Sequence, residues 1–400
     1  MIYCQHLAGM GHLVRCREVI RSLVETFDVC FVSGGQIVPQ FQMPPQAEIV
    51  QLPGLWQQGE ELLPLDTDMT IEETRAQRKQ LLLDTFNQFQ PDCLITECFP
   101  FSKLSMKYEL LPLLELAKAS TRPVRIICSL RDLIMTQPLS LEAKEKRATK
   151  ICQLVNRFYD AVLFHSDGNF QQLEDCFPQV ENLNCDIVYT GYVAQSAAEP
   201  VASSAELLDI DESKPAIVVS AGGGRHGYPL LNAVIAASEP IAERYPHHIY
   251  MFAGPFMPEA DFLKLQQATA KRPNLTLRRY TARLLEYLRK ADLSISLGGY
   301  NTTMNLLLTG VRSLILPSLN PSQTDEQRIR AEKLARLGVV GLLTPSDLEP
   351  ERMMTAIAHA LKQPRNDHQI NLQGAACTAA YLREFLSETA EREVELAAMG

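Results

Sequence analysis

AIVVSAGGGRHG, running from Ala216 to Gly227, decides how the rest of the chain is read. An apolar run long enough for a buried strand passes through three consecutive glycines, and from Pro229 to Tyr245 the sequence takes up a helical period. Strand, glycine turn and helix in that order open a βα unit, which buries its strand in a parallel sheet. The pattern returns at SLGGYNTT (Ser296 to Thr303), at NPSQTDEQ (Asn320 to Gln327) after LILPSL, and at LAGMGH (Leu7 to His12) after the opening strand.

Strands are expected at Ile2–His6, Val29–Ser33, Glu48–Leu52, Cys93–Thr96, Val124–Ser129, Ala161–His165 and Ile187–Thr190, with helices at Ile71–Phe89, Lys103–Lys118 and Leu141–Arg157. In the first helix Leu13, Cys16, Ile20, Leu23 and Val24 form one side, while Arg15, Glu18, Arg21 and Glu25 mostly avoid that stripe. After TGYV (Thr190 to Val193) the text QSAAEPVASSAE has no apolar period and reads as a linker. A second series follows, with strands at Ala216–Ala221, Ile249–Ala253, Leu275–Arg279, Leu293–Leu297, Ser313–Pro317 and Val339–Leu343, and a last helix over much of Ile370–Leu396. The expected organisation is an N-terminal domain over 1–193, a linker over 194–212 and a C-terminal domain over 213–400, the last helix packing back on the first domain. Both domains are open α/β sheets of Rossmann-like type facing a cleft, and ligands of such sheets sit outside the carboxyl ends of the strands.

The 400 residues are 46% hydrophobic and 21% charged, which excludes a disordered chain. No stretch approaches the ~20 continuous apolar residues of a membrane span. The opening MIYCQH lacks the basic start of a signal peptide, so a cytoplasmic location is expected. Net charge is −9, of which residues 1–200 carry −8, so nucleic acid is not an expected partner and the second half is the better host for an anion. Cys4, Cys30, Cys93 and Cys128 lie in apolar runs as small hydrophobes, and no CxxC occurs, so neither disulfides nor a zinc site are expected.

Each loop at a strand's carboxyl end carries usable chemistry. Gly9 and Gly11 let the first loop turn tightly, and His12 stands where the helix begins, either as a general base or as a helix-capping residue. Gly222, Gly223 and Gly224 let backbone N–H groups approach an anion, with Arg225 available to a phosphate and the helix start adding its dipole. Both glycine loops fall short of a dinucleotide fingerprint: Val14 stands where the first needs its third glycine, and no acid ends the strand after the second. A nucleoside diphosphate is therefore preferred to NAD. Asn301 and Thr302 either cap their helix or donate to a phosphate, and Glu326 with Gln327 offers acceptors and a donor to sugar hydroxyls.

With QHLAGMGHLVR (Gln5 to Arg15), VSGG (Val32 to Gly35), TECFPF (Thr96 to Phe101), CSLRD (Cys128 to Asp132), YTGYV (Tyr189 to Val193), SAGGG (Ser220 to Gly224), GGYNT (Gly298 to Thr302) and EQRIRAEKL (Glu326 to Leu334) in this order, the chain resembles the GT-B glycosyltransferases of family 28. That resemblance implies a nucleotide-sugar donor, usually UDP-linked, on the C-terminal domain and an acceptor hydroxyl on the N-terminal one. It implies His12 as base, Gly222–Gly224 at the diphosphate, Tyr280 at the nucleobase, and Glu326 and Gln327 at the donor sugar. Asn305 departs from it, standing where the family typically has a glutamate for the ribose diol.

The implied reaction is inverting transfer with neither metal nor cofactor, because the letters Asp66-Thr67-Asp68 fall away from the donor loops. An epimerase or hydrolase of the same fold and an inactive sugar-nucleotide-binding protein are the rivals. The acceptor is unspecified and includes the lipid-linked class. For Phe99–Leu116 a buried helix is favoured over a membrane-docking face, and Pro53–Thr70 is expected to shape the acceptor pocket.

Overall fold

The computed structural model describes every residue except 7–10, 39–40, 59–60, 196–208, 212, 320–324 and 399–400, and only the backbone of 388–398. It divides into one unit of Met1–Ala194 with Ile370–Gly400 and another of Gln195–Gln369. Most of the expected linker lies outside the described residues.

The first unit is built on strands β1 (Ile2–Cys4), β2 (Cys30–Ser33), β3 (Glu48–Gln51), β6 (Cys93–Glu97), β7 (Arg125–Arg131), β8 (Ala161–His165) and β9 (Asp186–Tyr189), with a separate hairpin of β4 (Leu55–Gln58) and β5 (Glu61–Pro64). The seven form one parallel sheet in the order β3-β2-β1-β6-β7-β8-β9. Parallel strands need crossovers, and these are supplied by α1 (Gly11–Leu23), α2 (Ile71–Phe89), α3 (Lys107–Lys118) and α4 (Leu141–Phe158).

Because side chains alternate along a strand, each face of this sheet has its own core. Ile95, Ile127, Ala161 and Leu163 pack with Leu13, Cys16 and Ile20 of α1 on one face. Leu94, Cys128, Leu130, Val162 and Phe164 pack with residues of α2, α3 and α4 on the other. Phe99, Phe101, Leu110, Leu113 and Leu114 belong to that second core and are fully buried, and Leu104, Leu111 and Leu116 pack against it, so the apolar residues of Phe99–Leu116 face the core.

Two expectations are corrected in this unit. The stretch Pro53–Thr70, where no strand is expected, contains the β4–β5 hairpin, whose antiparallel register pairs Trp56 with Leu63. The C-terminal domain does not extend to residue 400, because α11 (Gly374–Ala398) sets Ala379 and Leu382 into the core beneath α1. A bridge between Val193 and Gln373 and the Tyr192 N–H donated to the Asn371 carbonyl at 2.8 Å tie that return in place.

The second unit holds β10 (Ala216–Ser220), β11 (His248–Phe252), β12 (Leu275–Arg278), β13 (Leu293–Leu297), β14 (Ser313–Leu316) and β15 (Gly341–Leu342). They form a parallel sheet in the order β12-β11-β10-β13-β14-β15. Its helices are α5 (Tyr228–Arg244), α6 (Glu259–Thr269), α7 (Leu284–Lys290), α8 (Tyr300–Thr309), α9 (Glu326–Arg336) and α10 (Pro350–Ala360). Ile217, Val219, Ile249, Met251, Leu293 and Ile295 are wholly buried at its centre, each contributing about 1.5–3 kcal/mol of transfer free energy. Among the described residues no helix is long and apolar enough to cross a membrane.

Candidate active site

The carboxyl edge of the first sheet gathers charge that the sequence placed far apart. His12 lies in the first turn of α1, and its Nδ1 is 2.6 Å from Oε1 of Glu97, the last residue of β6. Arg15, on the same side of α1 as His12, donates from Nη2 to that carboxylate oxygen and to Cys98 Sγ at 3.4 Å. Glu97 and Arg15 are buried, while the His12 side chain keeps about one-fifth of its surface, at 19%. Cys98 turns the chain directly after Glu97 with φ 62°, a left-handed conformation unusual without glycine, and its N–H is held by the Ser129 carbonyl at 2.8 Å.

These contacts set the protonation states. Burial pushes His12 down to about 3, outweighing the pull of the adjoining Glu97 carboxylate, and Lys103 adds to the depression. Burial pushes Glu97 up, but the neighbouring His12 imidazole and Arg15 guanidinium prevail and hold its carboxyl well below the usual carboxylate range. At neutral pH a neutral imidazole therefore donates an Nδ1–H hydrogen bond to an ionised carboxylate and keeps an Nε2 lone pair to accept a proton. The ligand atoms of His12, Glu97 and Cys98 lie within 4.8 Å of one another, yet the Arg15 guanidinium already bonds to Glu97 and Cys98 and supplies the positive charge a metal ion would bring.

Arg15 and Glu97 were not among the expected site residues. Arg15 and Glu18, placed off the apolar stripe of α1, are nevertheless 2% and 3% exposed, and the partner that draws Arg15 inward is 82 residues away. Of the acceptor-loop residues, Gly11 opens α1 and Gly9 lies outside the described residues.

In the second unit the loops after β10 and β13 are neighbours, since Ser220 is in register with Ser296. Gly222 (φ 59°) and Gly223 are exposed. Gly224 (φ 91°) is buried, its N–H donates to the Ala221 carbonyl at 3.0 Å, and a Cβ there would stand 2.3 Å from the Ala253 carbonyl oxygen. Gly224 thus serves backbone-to-backbone packing rather than anion contact, which corrects its expected role. Arg225 is exposed and pairs with none of the described residues.

Thr302 Oγ1 lies 3.6 Å from where a Cβ on Gly222 would be and 3.9 Å from that on Gly299, so this hydroxyl sits between the two glycine turns. It does not cap α8: Gly299 is at the N-cap without a side-chain bond, and Thr303 Oγ1 donates back to the Gly299 carbonyl at 3.0 Å. Asn301 follows Tyr300 in the first turn of the same helix. Gln327, in the first turn of α9, accepts the Ser318 N–H at 3.0 Å with an Oε1 that is also 3.6 Å from a Cβ on Gly298, while Glu326 opens the helix half-buried. Gly222, Gly298, Gly299, Thr302 and Gln327 thus come together at one sheet edge. Asn305 is buried, with Nδ2 donating to Gln195 Oε1 at 2.9 Å and Oδ1 lacking a hydrogen-bond partner, and Tyr280 is 43% exposed after β12.

Residues 217–380 match the family described as the glycosyltransferase family 28 C-terminal domain. The chain has a GT-B fold, and its C-terminal part is similar to glycosyltransferase family 28. The UDP-N-acetylglucosamine–N-acetylmuramyl-(pentapeptide) pyrophosphoryl-undecaprenol N-acetylglucosamine transferase of Bacillus licheniformis is 24% identical over 226 residues, 55% of this chain and 58% of that enzyme. The chain therefore spans little more than half the length of the curated relatives it matches. Two solved structures share the GT-B-like fold. MurG of Acinetobacter baumannii has a TM-score of 0.54 at 14% identity, covering 97% of this chain and 99% of that one. A putative UDP-N-acetylglucosamine 2-epimerase from Listeria monocytogenes has a TM-score of 0.60 at 13% identity, covering 98% and 96%.

Proposed function

We propose that this chain transfers a sugar from a nucleotide diphosphate donor, UDP-linked by preference, to an acceptor hydroxyl, with inversion and without a metal. The observation that carries the reading is the 2.6 Å bond between His12 Nδ1 and Glu97, which leaves a neutral imidazole ready to take a proton at Nε2. As the acceptor oxygen attacks the anomeric carbon, its proton passes to Nε2, and Glu97 stabilises the imidazolium that forms. The bond from the anomeric carbon to the diphosphate breaks, and negative charge grows on the departing oxygen. In this reading Gly222, Gly223, Thr302, Asn301 and Arg225 stabilise that charge, with the start of α8 adding its dipole. Tyr280 meets the nucleobase, Asn305 the ribose, and Glu326 and Gln327 the donor sugar. The reaction as proposed runs at a cytoplasmic site.

The relatives' names supply the first substrates to try. Incubation with labelled UDP-N-acetylglucosamine and a lipid-linked N-acetylmuramyl acceptor should move label into the lipid phase only when both are present. The fold likeness to an epimerase favours one second reading, epimerisation of the donor, which would convert the nucleotide sugar with no acceptor added.

A further inference from the structure

At the carboxyl end of the first sheet, the face that packs on α1 changes from apolar to polar at the end of each strand. Ile95, Ile127 and Leu163 are followed two residues later by Glu97, Ser129 and His165, and β9 is followed by Thr190. Glu97 is in register with Ser129 across β6 and β7, while His165, in register with Arg131, stands two residues further on and reaches back to Ser129 diagonally, so these side chains form a stepped ladder.

Hydrogen bonds give this ladder a direction. Thr190 Oγ1 donates its single proton to the Gly191 carbonyl at 3.1 Å. It must therefore accept from His165 Nδ1, 2.8 Å away, which places the imidazole proton on Nδ1. His165 Nε2 is then an acceptor, and the Ser129 hydroxyl, 2.7 Å away, donates to it. Ser129 Oγ is left with lone pairs alone. Across the same row, Glu97 Oε2 is buried without a hydrogen-bond partner. Glu97, Ser129 and Arg15 line one small cavity of about 10 Å³, close to the room one water molecule needs, with Ile2, Cys16, Val19 and Ile95 completing its wall.

We propose that this cavity is a water site, and that Ser129, oriented by His165 and Thr190, positions the Glu97 carboxylate through that water. The water donates one proton to Glu97 Oε2 and the other to Ser129 Oγ and accepts from Arg15, so two buried acceptors that cannot bond to each other are both satisfied. Ser129 and His165 are then positioning residues for the base. This rests on His12 being the base of the proposed transfer. The charged and titratable groups facing His12 are Glu97 at the end of β6, Cys98 just after it, Arg15 on α1, Lys103 in the turn after β6 and Arg131 at the end of β7.

Nitrogen-15 NMR of histidine-labelled wild type tests the first step without turnover: His165 should be the Nδ1-protonated tautomer. The Nε2-protonated form would overturn the proposal, because Ser129 would then accept from His165 and keep its own proton, so it would not be the second acceptor that holds the water. In Ser129→Ala, removing one anchor of the water leaves Glu97 a stronger acceptor toward His12, so the His12 titration should move upward by about half a unit or more. Ser129→Thr, which keeps the hydroxyl, should restore it. In turnover, Ser129→Ala should lower kcat about tenfold at unchanged donor KM. A merely structural serine would lower thermal stability and leave the His12 titration where it is, and that result would refute the relay. Absence of any transfer by the wild type would instead reject the glycosyltransferase reading, while the NMR arms still judge the relay.

Discussion

The carboxyl edges of the two sheets are prepared in opposite ways. In the first unit, charges are buried and already bonded: Glu97 is held by His12 and Arg15 before any ligand arrives. In the second, the prepared elements are backbone turns, with Gly222 and Gly223 exposed and Arg225 standing in solvent. On the proposed reading, the difference follows from what each edge does. A base acts on a neutral hydroxyl and needs its electrostatics fixed in advance, whereas a diphosphate brings its own charge and needs N–H groups and room.

If that division holds, the largest effect should come from the first edge. Glu97→Gln presents an amide to His12 Nδ1, favours the tautomer with its proton on Nε2, and should lower kcat by about 10³-fold or more. His12→Ala should lower it by about 10²–10⁴-fold. UDP affinity measured by calorimetry should be nearly unchanged in both.

Gly224→Ala attacks the second edge through its packing. The new Cβ would meet the Ala253 carbonyl at 2.3 Å in a left-handed backbone. A stability loss of about 1–3 kcal/mol by denaturant titration, together with weakened UDP binding and an intact His12 titration, is expected. Arg225→Ala should be gentler, weakening UDP about tenfold and leaving stability unchanged, since the side chain is exposed.

The smallest effect separates the edges by pH. Burial first, with Lys103 adding for His6 and His12 and Arg15 adding for His165, lowers these imidazoles to about 4, about 3 and about 3, against an ordinary 6.5. Between those values the unfolded chain binds more protons than the folded one, so stability is full above 6.5 and falls as the pH drops toward 4. The slope is at most about 1.4 kcal/mol per pH unit for each imidazole. Thermal midpoints followed from pH 7 to 5 should decline, while kcat should stay nearly flat because His12 remains neutral. A tenfold loss of kcat by pH 5 would show that His12 titrates normally.

The sheets were legible in the sequence because each strand is an apolar run ending in a turn, and the glycine loops because nothing else places three glycines between a strand and a helix. The Glu97 pair was not, for a physical reason. A one-dimensional pattern scores Arg15 as a solvated helix charge, and only the parallel alignment of β1 with β6 brings β6's end beside α1. The same limit hid the second meaning of Gly224, whose neighbour Gly254 lies thirty residues on and would itself place a Cβ 2.4 Å from the Gly224 nitrogen. The hairpin after Pro53 escaped because PGLWQQGEELLP mixes Gln, Glu and Pro where alternation is expected. Asn305 and Tyr280 were visible only through family resemblance.

The division of labour between the edges is tested most directly by titrating the wild type, Glu97→Gln and Gly224→Ala with UDP in a calorimeter, with GDP, ADP and TDP as comparisons. Selective UDP binding, equal in the wild type and Glu97→Gln and weakened in Gly224→Ala, is the predicted result. Binding of no nucleotide, or equal loss in both variants, would contradict it.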